Sequence, residues 1–126
     1  MQTTNVKNLD NKHSEWIKTL GFYKDELAIF NKRLTKVAEK NTSMEVMQMV
    51  EHFQNQFLVQ AENIDILQHD INEHVSVLAG EILDHAGHIN SDNETIHFVL
   101  LERVEKAASI FKEMKEEFMK FLSKTM

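Results

Sequence analysis

Cysteine and proline are both missing from this chain of 126 residues, and glycine occurs only three times. Without cysteine there is no disulfide framework, no thiolate metal site and no thiol nucleophile. Without proline, and with glycine so sparse, the turn signals that an all-β sandwich or barrel needs about every ten residues are missing. No run of about 18 apolar residues is present, which excludes a membrane-spanning helix. Met1 to Asp10 contains no apolar stretch of the kind a secretory signal requires, so a cytoplasmic location is expected. Basic residues are also in deficit: 14 Lys and Arg stand against 20 Asp and Glu, a net charge of -6. That sign excludes nucleic acid as a dominant partner, because binding phosphate backbones requires clustered cations. The basic face needed for membrane-surface binding is missing for the same reason.

Hydrophobic residues make up 42% and charged residues 27%, a balance that suits one globular domain spanning residues 1–126. Two punctuation marks divide it. The first is Asn41-Thr42-Ser43, where Asn41 suits a left-handed helix end and Thr42 with Glu45 has capping-box spacing. The second runs from Gly87 to Ser91, with Ser91 and Glu94 repeating the capping pattern. These marks predict helices near 4–40, 43–86 and 92–124. Gly21 and Gly80 lie inside helices, each costing about 1 kcal/mol relative to alanine.

Apolar residues alternate at steps of three and four along each segment. Trp16, Leu20, Tyr23, Leu27, Phe30, Leu34 and Val37 do so in the first. Val46, Val50, Phe53, Phe57, Ile64, Leu67, Ile71 and Leu78 follow in the second. Leu101, Val104, Ala108 and Phe111 continue in the third, drifting to Met114, Phe118 and Phe121. Such a period predicts left-handed coiled-coil packing, and short connections make neighbours antiparallel. The expected fold is an all-α, up-down-up bundle of three long helices. The alternative is four helices, with a break near Gly80. A middle segment longer than its neighbours leaves apolar surface that a homodimer or a partner helix would cover.

Polar residues on an apolar seam carry information. Folding the first hairpin between Asn41 and Thr42 sets Gln60 level with Tyr23, where a buried hydrogen bond would fix register. Folding the second about residue 89 sets His97 level with Glu81 and one turn from His85. Two ligands at i and i+4 on one helix, with a third from a neighbour, suit a transition metal in a bundle. Glu81, His85 and His97 are therefore the primary metal candidates, with His88 and Glu94 as additional ligands. His13 and His74 form a second, separate cluster. Imidazole and carboxylate donors suit zinc, iron, manganese or nickel. The competing reading is a set of hydrated or mutually paired side chains at a bundle end.

The Glu-x-x-His repeat of di-iron carboxylate bundles is not present, nor is a phosphate loop, nucleophile elbow or zinc-protease motif. Glu51 and His52 fall beside the seam on a solvated face, and the seven methionines read as core filler. No catalytic constellation emerges. The sequence favours a small non-enzymatic helical bundle acting by self-association or partner binding. The alternative is a metal-binding bundle for storage, sensing or redox work.

Overall fold

Three helices, α1 (Val6–Lys40), α2 (Met44–Asp84) and α3 (Ser91–Thr125), account for nearly all of the chain in a computed structural model. It describes the backbone of residues 6–84 and 91–125, and side-chain environments for residues 11–78 and 94–125. The chain is all-helical and bundle-like, with no strand among the described residues. α2 runs without a break through Gly80, which removes the four-helix alternative. At 1.5 Å per residue its 41 residues extend about 62 Å. Among the described residues, no helix is long and apolar enough to cross a membrane.

The first connection forms as local chemistry dictates, one residue later than the capping-box spacing suggests. The Asn41 side-chain amide donates to the Val37 carbonyl at 2.9 Å and so folds back over the last turn of α1. Ser43, rather than Thr42, caps α2: its hydroxyl accepts from the Val46 N–H and its carbonyl from the Met47 N–H. The pairing register moves further than the cap, by two residues at the hairpin midpoint. His13 meets His74, and Phe30 meets Phe57, pairs whose midpoint falls between Ser43 and Met44. Tyr23 therefore does not reach Gln60. Its ring stacks on Phe111 with centroids 4.3 Å apart, and Gln60 lies half-buried beside Arg103 and Lys106. A hydrogen bond between α1 and α2 comes instead from Gln68, whose amide donates to the Ile17 carbonyl at 3.4 Å.

The buried residues follow the three-four spacing closely. Leu20, Leu27, Phe30, Leu34 and Val37 of α1 face Val50, Phe53, Phe57, Ile64 and Ile71 of α2 in one cluster. α3 adds Val104, Phe111, Met114, Phe118 and Phe121. Leu100 takes the seam position expected for Leu101, which is only half-buried. The methionines divide: Met114 is buried, but Met44, Met47 and Met49 are exposed on the first turns of α2, off the seam, and are not core filler. Ion pairs tie the helices from outside, Lys24 with Asp65, Arg103 with Asp70 and Lys115 with Glu26. Each lies at a partly exposed site and contributes at most about 1 kcal/mol.

Candidate metal centre

The seam that buries phenylalanines at one end of the helices buries imidazoles at the other. His13 on α1 lies one turn before Trp16, His74 on α2 between Ile71 and Leu78, and His97 on α3 one turn before Leu100. Their neighbours on each stripe are apolar and buried, so the helical period itself carries the rings inward. His13 is 2% exposed, His74 3% and His97 8%. Histidine this deeply buried requires partners for its ring nitrogens.

One ring nitrogen from each of the three histidines lies within 4.8 Å of the others. His13 Nε2 and His97 Nδ1 are 3.2 Å apart, with one nitrogen donating to the other as the tautomers dictate. The His13 ring meets that of His74 edge-on, centroids 5.2 Å apart. Both nitrogens of His74 are buried and have no hydrogen-bond partner among the described residues. Trp16 walls the cluster, stacked on His97 at 5.1 Å and edge-on to His13 at the same distance.

Burial holds His74 below the ordinary histidine pKa. His97 is lowered first by burial and then by positive charge on His74 and Lys12. Both rings are thereby kept neutral, the state in which imidazole donates a lone pair to a metal. In a tetrahedral zinc site with Zn–N bonds of about 2.0–2.1 Å, ligating nitrogens stand about 3.3 Å apart. The His13–His97 pair has a similar separation, now bridged by a hydrogen bond, and a His74 nitrogen lies within 4.8 Å of both.

The structure joins residues that the sequence reading kept apart. His97 was grouped with Glu81 and His85, yet its ring lies 6.3 Å from that of His74 and 5.2 Å from that of His13. The side chain of Glu81, and residues His85 and His88 altogether, lie outside the described residues. Glu94 is half-buried one turn before His97 and is not part of the three-histidine group. The sequence already places His13 beside His74; what the structure adds is His97, whose pairing with His74 centres between residues 85 and 86 rather than on residue 89.

A second group, His69, Asp70 and Glu73, is on the outer surface of α2. Its members are already engaged, His69 with Glu73 at 3.2 Å and Asp70 with Arg103 at 2.8 Å. Glu51 and His52 are exposed, as their place beside the seam implies. No family model, curated protein or solved structure matches this chain.

Proposed function

We propose that this chain is a non-enzymatic helical bundle that holds a divalent transition metal through His13, His74 and His97. One observation carries the reading: three buried imidazoles, one from each helix, converge while His74 keeps two nitrogens without partners among the described residues. A buried polar group without a partner costs about 1–3 kcal/mol, and a metal ion at this point would satisfy one of the two His74 nitrogens. Three imidazoles favour zinc over manganese, which prefers oxygen donors. Nickel and iron remain compatible with the donor set. Three protein ligands leave one tetrahedral position for water, an anion or a further side chain.

The arrangement that suits this role is the up-down-up bundle with coiled-coil packing. The pairings of His13 with His74, Phe30 with Phe57, Asp70 with Arg103 and Glu26 with Lys115 support it. Elemental analysis of untagged protein tests the metal reading directly. About one zinc ion per chain is expected, lost in His74→Ala and retained in His52→Ala. Thermal melts that superimpose with and without zinc would remove the reading.

Self-association is the second reading. Its support is the exposed apolar surface along α2 and α3, where Ile66, Val77, Ile96, Val99 and Ile110 are all solvent-facing.

A further inference from the structure

The groove between α2 and α3 has a pattern that suits another copy of itself. It consists of two hollows, and Arg103 lines both. Near the histidines the walls are Val77, Ile96 and Val99. At the far end they are Ile66 and Ile110. Charge is concentrated between these apolar ends and is divided by helix. α2 contributes Asp70 and Glu73, whereas α3 contributes Arg103 and Lys106. Asp70 and Arg103 touch at 2.8 Å, so these two lie at the same level along the groove, with Glu73 in the hollow near the histidines and Lys106 in the other.

We propose that two copies of this chain pair face to face across this groove, about a two-fold axis parallel to the helices. The proposal rests on the self-association reading and specifies its surface. Rotation about that axis exchanges α2 and α3 without changing level. It lays Asp70 of one copy over Arg103 of the other, twice over, with Glu73 and Lys106 about one turn to either side of that contact. Val77 then meets the partner copy's Ile96 and Val99, and Ile66 meets its Ile110. The other two-fold axis lying in the interface would stack acid on acid and base on base, so charge selects one geometry. A chain of net charge -6 repels its own copy at long range, and only local complementarity of this kind offsets that. Asp70 and Arg103 keep 35% and 38% of their side-chain surface exposed within the chain, which leaves an outer edge for the second copy.

Sedimentation of four proteins tests this. The full chain is expected at dimer mass, and Val99→Asp, which changes an exposed residue, at monomer mass. A chain carrying Asp70→Lys with Glu73→Lys is expected as a monomer. So is one carrying Arg103→Glu with Lys106→Glu. An equimolar mixture of these two is expected to return to dimer mass, because each reversed patch meets an opposite charge twice. Recovery in the mixture also shows that both variants fold, as does their helical circular dichroism. If every charge-reversed chain still forms homodimers, this face is overturned while self-association survives. A wild-type chain that stays monomeric overturns both.

Discussion

Near the α1–α2 connection, Phe53 meets Phe118 and Phe121 with ring centroids 5.2 Å from each; toward the other end, His13 meets His74 and His97 at the same 5.2 Å. Both clusters draw rings from the same helical stripes, and both are shut off from water. The phenylalanine end has no polar atom to satisfy, so dispersion and dehydration stabilise it unaided. The histidine end has six ring nitrogens, and those of His74 find no partner among the described residues. Equal geometry thus gives unequal stability. One end is complete as a folded chain, and the other leaves both nitrogens of His74 without partners among the described residues.

The sharpest way to break this contrast is to damage the complete end. Phe118 is fully buried and touches Phe30, Phe53 and Phe57, so Phe118→Ala should cost about 3–5 kcal/mol. Urea titration measures it, and a loss under 1 kcal/mol would show that the aromatic end is not the anchor. At the histidine end, zinc at a hundredfold excess over its dissociation constant should add about 2.7 kcal/mol, or on the order of 10 °C in Tm. His97→Ala should abolish that increment. His74→Leu should abolish it too while leaving the metal-free protein as stable as before or more so, since an unpartnered imidazole is replaced by an apolar group.

Acid sharpens the comparison next. His74 and His97 are held below the ordinary histidine value by burial, so the unfolded chain binds protons that the folded chain refuses. Their contribution to stability is intact above the unfolded value near 6.5 and falls as pH drops below it toward the lowered folded values. Denaturation of metal-free protein at pH 7.5 and pH 5.5 should show this loss, and His74→Leu should reduce it. A stability that rises on acidification would contradict the burial argument. The smallest effect belongs to neither end. A Cβ at Gly21 would sit 3.9 Å from the Gln68 amide, an ordinary contact, so Gly21→Ala should stabilise the protein by about 0.5–1 kcal/mol.

The helices and the aromatic core were legible because the pattern that encodes them is local and repeated. Phe53, Phe57 and Phe118 could be placed inside from spacing alone. Register was harder, since it depends on where each turn folds, which the apolar spacing does not encode. Folding the first hairpin between Asn41 and Thr42 misplaces Tyr23 against Gln60, and folding the second about residue 89 keeps His97 apart from His13 and His74. A small error at a turn shifts every pairing across the hairpin, and a site assembled from three helices accumulates the errors of two turns. The histidines themselves were visible as polar interruptions of an apolar stripe. Their convergence was not, because three-dimensional level is encoded only in the turns.

Trp16 is the only tryptophan in the chain, and it lies against both His13 and His97. Its emission therefore reports on this cluster without any attached label. Cobalt, nickel or copper entering the cluster would quench that light through their unfilled d shells, whereas zinc would only shift it. Protonation of the adjoining imidazoles would quench it as well. The residue that walls off the histidines from solvent also makes their occupancy visible to a fluorimeter.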